Sequence, residues 1–328
     1  MKLAVLGAGA WGTALAAHWA GPHDVVLWGR NTTELAAMRA QRVNARYLPD
    51  CPLPAALAFE TDFDAAANAA ELIVVSVPTH ALRATLAALA RQPALPPLIW
   101  VCKGFEPGSG KLPHQLVAEC LPPDARAGVL SGPSFAQEVA HGCPTVLTLA
   151  SADAALAQQL AGALSGQRMR IYAHHDVIGV EIGGALKNVM AIAAGICDGL
   201  ALGHNARAAL VTRGLAEMTR LGVRLGGHAE TFMGLSGLGD LILTATGDLS
   251  RNRQVGLRLA QGRPLDAILA ELGHVAEGVP TAREVDALAA ALGVDLPITR
   301  AVCRILNGAL PAAQAVDALL NREIKTEF

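Results

Sequence analysis

The chain carries little charge and no run of like charge. Charged residues make up 16% of its 328 residues, and the formal net charge is −2. Proteins that bind nucleic acids or anionic membrane surfaces usually cluster basic residues. The composition therefore argues against both classes, and we expect no nucleic-acid partner.

Closely spaced cysteines are also missing. The six cysteines are scattered, with neither a CxxC pair nor a cluster with histidine. This pattern fits reduced thiols in the cytoplasm better than a disulfide framework or a zinc site. We accordingly predict a cytoplasmic location and no metal.

No uninterrupted apolar stretch is long enough to cross a bilayer, so we predict no membrane insertion. The first residues, MKLAVLGAGAWGTALAAHWA, combine a lysine, an apolar run and small residues, as a signal peptide does. They fit a strand, a glycine turn and a helix better, and we adopt that interpretation.

Short apolar runs alternate with helical patterns in the first half of the chain. The strand-like runs lie at 2–7, 24–29, 72–77, 97–102, 127–132, 145–150 and 169–173. Helical patterns separate several of them, as at 80–90 and 111–120. This alternation predicts an α/β fold with a mostly parallel, doubly wound sheet.

After about residue 178 the sequence indicates helices only, with one glycine-rich break. The predicted helices span 181–200, 206–225, 250–262, 265–272, 280–292, 298–308 and 311–321. The chain is also too long for one typical core. We predict an α/β domain over 1–176 and an all-helical domain over 177–328, whose apolar faces favour a homodimer.

A G-x-G-x-x-G turn, made by Gly7, Gly9 and Gly12, lies between the first strand and the first helix. The first glycine allows the tight turn, the second lets a pyrophosphate approach the backbone, and the third allows close helix–strand packing. This context predicts a Rossmann-type dinucleotide-binding domain. Trp11, inside the turn, either covers the cofactor or packs beneath the sheet.

The residue after the second strand indicates which dinucleotide is bound. An acidic residue there binds the ribose hydroxyls of NAD, but this chain has Arg30, eighteen residues past Gly12. An arginine attracts the 2′-phosphate of NADP, whereas an acid repels it. We therefore predict a preference for NADP, with NAD possible as well.

Lys187 is the only basic residue in the apolar helix EIGGALKNVMAIAAGICDGL, in a chain with five lysines. The residues sharing its helical face are Gly183, Gly184, Ala191, Ala194 and Asp198. Small neighbours leave a hollow in which the ammonium could meet a ligand and transfer a proton. Alternatively, the lysine reaches solvent or pairs with Asp198.

Two further polar stretches follow predicted strands. Lys103 lies in a Gly/Pro loop after one strand, and Gly132 and Ser134 lie after the next. Ligands of open α/β sheets bind at such carboxyl ends.

A third stretch lies in the helical region. Asp240 and Thr244 are one helical turn apart, and Ser250, Arg251 and Asn252 open a predicted helix. A hydroxyl, a guanidinium, an amide and free backbone donors form a phosphate-binding site. Together the three stretches fit hydride transfer to a small phosphorylated carbonyl compound, without a metal.

The sequence closely resembles the bacterial NAD(P)-dependent glycerol-3-phosphate dehydrogenases along essentially its whole length. The matching stretches are GAGAWGTALA, VPTHALR, CKGFEP, LSGPSFAQEVA, EIGGALKNVMAIAAGICDG, GLSGLGDLILTATGDLSRNRQVG and VAEGVPTA. The resemblance implies reduction of dihydroxyacetone phosphate, a three-carbon substrate, to sn-glycerol 3-phosphate, which feeds phospholipid synthesis.

The resemblance also implies residue roles. Lys187 looks like the catalytic lysine, and the substrate contacts implied are Lys103, Gly132, Ser134, Lys187, Asp240, Ser250, Arg251 and Asn252. The cofactor contacts implied are Gly7, Gly9, Ala10, Trp11, Gly12, Arg30, Lys103, Ala136, Arg251, Val275 and Glu277. Ala10 stands where many members have serine, so only its backbone amide would serve.

Two alternatives remain open. One is another dehydrogenase with a Rossmann domain and a helical domain, acting on a 3-hydroxy acid or a sugar acid. Those families typically have an asparagine one turn after the helix lysine, where this chain has Ala191. The other is a dinucleotide-sensing protein without turnover, which the presence of Lys187, Lys103 and Asp240 disfavours.

Overall fold

The computed structural model describes residues 1–166, 168–273 and 276–321. Strands occur in the first half of these residues. They are β1 (Lys2–Leu6), β2 (Asp24–Trp28), β3 (Val43–Asn44), β4 (Leu48–Pro52), β5 (Ala58–Glu60), β6 (Leu72–Val75), β7 (Leu98–Trp100), β8 (Ala127–Ser131), β9 (Thr145–Ala150) and β10 (Met169–His174).

Helices follow most strands and fill the second half. Those of the first half are α1 (Ala10–Trp19), α2 (Thr32–Gln41), α3 (Phe63–Asn68), α4 (Thr79–Leu89), α5 (Pro113–Cys120), α6 (Ala136–Ala140) and α7 (Ala154–Leu164). Those of the second half are α8 (Val177–Gly199), α9 (Gly203–Arg224), α10 (Ala229–Phe232), α11 (Asp240–Thr246), α12 (Arg251–Ala260), α13 (Leu265–Leu272), α14 (Gly278–Leu292), α15 (Pro297–Leu306) and α16 (Ala312–Leu320).

Eight strands form one sheet in the order β10-β9-β8-β7-β6-β1-β2-β5. Every neighbouring pair is parallel except β8 and β9. The predicted mostly parallel sheet is therefore confirmed. The short strands β3, β4 and β5 lie outside the predicted runs, and β4, LPDCP, contains two prolines that conceal it because proline cannot complete a central ladder.

The two faces of the sheet bury different side chains. On β1, Leu3 and Val5 join one core, whereas Ala4 and Leu6 join the other. Helices α1, α2 and α7 contribute to the first core, and α3, α4 and α5 to the second. Alternate strand residues point to opposite faces, so helices cover both sides, as the doubly wound prediction requires.

In the described residues from Val177 onward, every regular element is a helix, as predicted. The predicted glycine-rich break, however, contains α10, a π-helical turn (Leu235–Gly239) and α11. Glycine has low helix propensity, which hid these elements. Here it serves close packing, because a Cβ on Gly237 would lie 2.1 Å from the Phe232 carbonyl oxygen.

The chain forms two compact units. The first comprises Met1–Glu106 and Lys111–Glu181, and the second comprises Pro107–Gly110 and the residues from Ile182 onward. Helix α8 begins in the first unit and continues into the second. It is long and apolar enough to span a bilayer, but most of it is buried inside the protein.

Candidate active site

The glycine turn lies where the strand order reverses. Gly7 follows β1 with a φ of 126°, a conformation that favours glycine. A Cβ on Gly7 would lie 2.2 Å from the Ser76 carbonyl oxygen after β6, and one on Gly12 would lie 2.0 Å from the Gly7 oxygen. The turn therefore packs backbone against backbone at the switch point, where such sheets bind nucleotides.

Gly9 differs from Gly7 and Gly12, because a Cβ on Gly9 would contact nothing within 4 Å. It is the N-cap of α1 and has no side-chain cap, so the first amides of the helix, beginning with Ala10, can donate to a ligand. This open, donor-rich surface fits a pyrophosphate. Trp11 is half-buried and packs against the core of the sheet, and its contact with a cofactor remains a prediction.

Arg30 is exposed just after β2, the parallel neighbour of β1. The carboxyl ends of parallel neighbours meet at one edge of the sheet, so Arg30 lies at the same edge as the glycine turn. Asn31 caps α2 by accepting from the Glu34 amide at 3.1 Å. An exposed guanidinium at this edge fits the 2′-phosphate of NADP.

Lys103 and Ser134 converge on one carbonyl group. The Lys103 ammonium donates to the Gly132 oxygen at 3.2 Å, and the Ser134 hydroxyl donates to the same oxygen at 3.1 Å. Gly132, with a φ of 133°, turns the chain after β8. Ala136 opens α6 and is half-buried. These residues follow β7 and β8, two parallel strands of the edge that also carries the glycine turn.

The second unit brings Lys187 together with Asp240 and Thr244. The Lys187 ammonium donates to Asp240 Oδ1 at 2.5 Å and to Thr244 Oγ1 at 2.9 Å. The Thr244 hydroxyl in turn donates to the Asp240 carbonyl oxygen at 2.7 Å. Lys187 is 7% exposed and Asp240 is 0% exposed, so this is a nearly dry ion pair. The one-turn spacing of Asp240 and Thr244 was the sequence signal, although it assigned Thr244 no role.

One alternative for Lys187 is wrong. Asp198, its alternative partner, instead accepts hydrogen bonds from Arg207 and Arg253. The hollow expected beside Lys187 stays a prediction, although backbone lies close at Gly183, where a Cβ would lie 2.3 Å from the Ser236 carbonyl oxygen. These contacts come from elements that pack against α8, which the spacing within α8 cannot reveal.

The predicted phosphate-binding residues open α12. Ser250 is its buried N-cap, and its hydroxyl accepts from the Arg253 amide at 3.2 Å. Arg251 is exposed at the first helical position. A helix N-terminus beside an exposed guanidinium can bind a phosphate dianion.

Asn252, predicted as a phosphate contact, also forms hydrogen bonds within the protein that the sequence did not indicate. Its amide nitrogen donates to Asn188 Oδ1 at 2.9 Å, and its oxygen accepts from the Gly278 amide at 3.0 Å. Its carboxamide thus links α8, α12 and the start of α14. Glu277, the half-buried N-cap of α14, adjoins this link, whereas Val275 lies outside the described residues.

Sequence reasoning also missed a buried carboxylate at the start of α8. Glu181 Oε1 accepts from Trp100 Nε1 and from the His114 amide, both at 2.9 Å, and Oε2 lies 2.5 Å from His114 Nδ1. Burial raises the pKa of Glu181, and the bonds from His114 oppose that shift. The signal was a glutamate at the head of an apolar helix.

Within the described ranges, no group of three or more His, Cys, Asp or Glu side chains is arranged to hold a metal ion. The glycine turn and the buried cluster of Lys187, Asp240 and Thr244 are the two features that the candidate site offers. A doubly wound sheet with a glycine turn at its switch point defines the class of Rossmann-type nucleotide-binding proteins.

Comparisons with known proteins identify the family within this class. Two family models match, "NAD-dependent glycerol-3-phosphate dehydrogenase N-terminus" over residues 2–157 and the corresponding C-terminus over residues 176–317. A curated glycerol-3-phosphate dehydrogenase (NAD(P)+) from Thiobacillus denitrificans is 76% identical over 328 residues, covering 100% of both chains. The protein of that name from Dechloromonas aromatica is 58% identical, also over 100% of both chains.

A solved structure agrees with this assignment. The crystal structure of a glycerol-3-phosphate dehydrogenase from Coxiella burnetii matches with a TM-score of 0.93 and 42% identity, and covers 98% of this chain and 99% of its own. The chain belongs to the NAD-dependent glycerol-3-phosphate dehydrogenase family.

Proposed function

We propose that the protein is an oxidoreductase that interconverts dihydroxyacetone phosphate and sn-glycerol 3-phosphate with NAD(P)H as the reductant. The observation that carries this proposal is the buried ion pair of Lys187 and Asp240 with Thr244. A desolvated ammonium of this kind suits proton transfer to a carbonyl oxygen. Relatives that bear the name of this enzyme, at up to 76% identity among those compared, support the same reaction.

The first unit would hold the cofactor. Gly9 leaves room for the pyrophosphate, and the amides at the start of α1 would donate to it. Lys103 and Ala136 would contact the cofactor from the ends of β7 and β8. When bound, the nicotinamide would supply the hydride to the ketone carbon, and the protein would bind, orient and protonate the substrate.

Lys187 would supply the proton. Negative charge develops on the ketone oxygen during reduction, and the Lys187 ammonium would stabilise that charge and donate a proton to it. Asp240 accepts one N–H of the ammonium and Thr244 accepts another, so these two bonds hold the ammonium in place. In the reverse direction the neutral amine would take the proton back.

The phosphate would bind at the start of α12. Ser250, Arg251 and Asn252 combine the helix N-terminus with one exposed guanidinium. Because the substrate has only three carbons, a fixed phosphate restricts where its carbonyl group can lie. Lys103, Gly132 and Ser134 would add substrate contacts, and Glu277 and Val275 would add cofactor contacts.

NADP is the preferred cofactor in this proposal because Arg30 is exposed at the sheet edge. The change Arg30→Asp should lower the kcat/KM ratio of NADPH over NADH by about tenfold, since it replaces an attraction to the 2′-phosphate with a repulsion. Steady-state assays with each cofactor measure this ratio. An unchanged ratio would mean that Arg30 does not contact the 2′-phosphate.

The proposal extends to assembly and location. Exposed apolar side chains on the second unit, Met233, Ile242 and Leu249, support a homodimer. Burial of most of α8 supports a protein that is not inserted in a membrane, and we propose a cytoplasmic enzyme that supplies glycerol 3-phosphate for phospholipid synthesis. The molar mass from light scattering tests the dimer.

The first experiment follows the absorbance of NADPH, and separately of NADH, when the purified protein meets dihydroxyacetone phosphate. Fast oxidation supports both substrate and reaction. If the folded protein binds NADPH but oxidises neither cofactor, the substrate assignment fails. A panel of 3-hydroxy acids and sugar acids then tests the other dehydrogenase class, and no turnover with any of them leaves a dinucleotide sensor.

A further inference from the structure

The proposed proton donor and the proposed phosphate site lie on two helices of the same unit. Lys187 is on α8, and Ser250 and Arg251 begin α12. Whatever holds the first turn of α12 against α8 therefore sets the span between the two groups. For a three-carbon substrate, that span decides whether the carbonyl oxygen reaches Lys187 when the phosphate is bound.

The backbones of α8 and α12 are in direct contact. A Cβ on Gly195 would lie 2.1 Å from the Arg253 carbonyl oxygen, and one on Gly256 would lie 2.0 Å from the Ile192 carbonyl oxygen. Side chains therefore do not separate the helices at this crossing. Glycine contacts set how closely the helices approach, but they leave the direction of the first turn of α12 to other interactions.

Asp198 and Arg253 supply such an interaction. Arg253 Nε and Nη2 both donate to Asp198 Oδ2, at 2.9 and 2.7 Å. Arg207 Nη1 donates to both oxygens of Asp198 at 3.1 Å and so orients the carboxylate. The Asp198 side chain is 15% exposed and that of Arg253 is 11% exposed, so solvent screens the pair only weakly.

Arg253 also holds the turn before the helix. Its Nη1 donates to Asp248 Oδ1 at 2.9 Å, and its amide donates to the Ser250 hydroxyl at 3.2 Å. One residue thus ties the phosphate-binding turn to α8. Two carboxylates already bind its guanidinium, whereas Arg251 is exposed.

We infer that Asp198 and Arg253 are positioning residues, which hold the phosphate-binding turn at the distance from Lys187 that a three-carbon phosphate requires. The inference rests on the proposed function, which gives Lys187 and the start of α12 their roles. It assigns Arg253 a structural bond to Asp198, and it leaves phosphate contact to Arg251 and the amides of the turn.

Dihydroxyacetone distinguishes positioning from general stability, because it has the same carbonyl group but no phosphate. If the pair positions the phosphate site, its loss should impair dihydroxyacetone phosphate and spare dihydroxyacetone. If the pair only stabilises the fold, both substrates lose activity in proportion. The ratio of the two kcat/KM values is independent of how much of a variant is folded.

The experiment compares Asp198→Asn and Arg253→Met with the wild type, using both substrates with NADPH. We expect each variant to lower kcat/KM for dihydroxyacetone phosphate by about ten- to a hundredfold, as a small misplacement does, and to change that for dihydroxyacetone less than about twofold. The kcat/KM of the double variant for dihydroxyacetone phosphate should be no lower than that of the worse single variant, because the two residues act as one pair. Arg126→Met, which removes an exposed ion pair with Asp153 in the first unit, is the matched control and should change neither value.

Two results would overturn the inference, and a third would refute the proposed function on which it rests. Equal losses for both substrates would show a purely structural pair. Opposite changes in the KM for dihydroxyacetone phosphate in Asp198→Asn and Arg253→Met would show that net charge, not position, matters, because these variants change the charge in opposite directions. Absence of turnover in the wild type would instead refute the proposed function, before any variant is compared.

Discussion

The two units build their candidate sites from different parts of the chain. The first uses backbone: Gly7 and Gly12 allow main-chain groups to meet, and Gly9 leaves open space beside helix amides. The second uses buried side chains, with Lys187 held by Asp240 and Thr244. Anion binding needs only amide donors at close range, whereas proton transfer needs a group that can lose a proton. Loss of a side chain should therefore do most harm in the second unit, and addition of a Cβ most harm in the first.

The largest effect in this comparison should come from Lys187→Ala. We expect kcat to fall by roughly a thousandfold or more, because proton donation and charge stabilisation are both lost. The affinity for NADPH should change little, since the glycine turn belongs to the first unit. Stopped-flow or steady-state assays give kcat, and quenching of protein fluorescence gives NADPH binding.

Lys111→Ala is the matched control for that variant, because Lys111 forms an exposed ion pair with Glu119. It should keep its turnover. Near-normal turnover in Lys187→Ala would refute the assignment of the proton donor, and loss of NADPH binding there would show that the units are not functionally separable.

The next effect should come from Arg251→Ala, which removes a guanidinium while leaving the helix amides in place. We expect the KM for dihydroxyacetone phosphate to rise by about ten- to a hundredfold, the effect of one hydrogen bond to a charged group. The rise should be much smaller for dihydroxyacetone. An unchanged KM would place the phosphate site elsewhere.

The glycine turn and most strands of the parallel sheet were accessible from the sequence because they depend on local patterns. Apolar runs specify buried strands, and the spacing of Gly7, Gly9 and Gly12 reflects a single turn. The partners of Asp198 and Asn252 were not accessible. They depend on where α8 crosses α12 and α14, and residues more than fifty positions apart meet there.

Lys187 combines a feature that the sequence predicts with contacts that depend on tertiary packing. Its isolation in an apolar helix indicated a function, and Asp240 and Thr244 were recognisable one turn apart. That these three side chains meet is a tertiary fact, since α11 follows a π-helical turn in a stretch whose glycines concealed any helix. The chemistry of the site was thus more predictable than its packing.

Two glycine substitutions sharpen the contrast within the turn. Gly9→Ala places its Cβ in open space, so we expect the folded protein to be about as stable as the wild type but its NADPH Kd to rise by about tenfold. Gly12→Ala forces a Cβ to within 2.0 Å of the Gly7 carbonyl oxygen and should lower the free energy of unfolding by about 1–3 kcal/mol. Denaturant titration and NADPH binding separate the two. Equal loss of stability in both variants would mean that Gly9 is structural.

The smallest predicted effect concerns the pH dependence of stability, and it comes from Glu217, a buried carboxylate of the second unit away from Lys187. Glu217 accepts hydrogen bonds from the Ile298 amide at 2.6 Å, and from the Thr299 amide and hydroxyl at 3.1 and 2.9 Å, and so caps α15. Burial nevertheless raises its pKa above the usual value of 4.5, and the bonds at the helix end oppose that shift.

The raised pKa fixes the sign of a pH effect. The folded protein holds the Glu217 proton more tightly than the unfolded chain, so the stability linked to this group is fully present below pH 4.5 and is lost as the pH rises through the raised pKa. Glutamine does not titrate, so the free energy of unfolding of the wild type minus that of Glu217→Gln should fall as the pH rises from 4.5, by roughly 1.4 kcal/mol per unit of raised pKa. Denaturant titrations of both proteins between pH 4.5 and neutral pH measure this difference in free energy of unfolding. A difference that grows with pH would show that the bonds to the start of α15 outweigh burial, and that this unit tolerates buried charge away from its lysine as well.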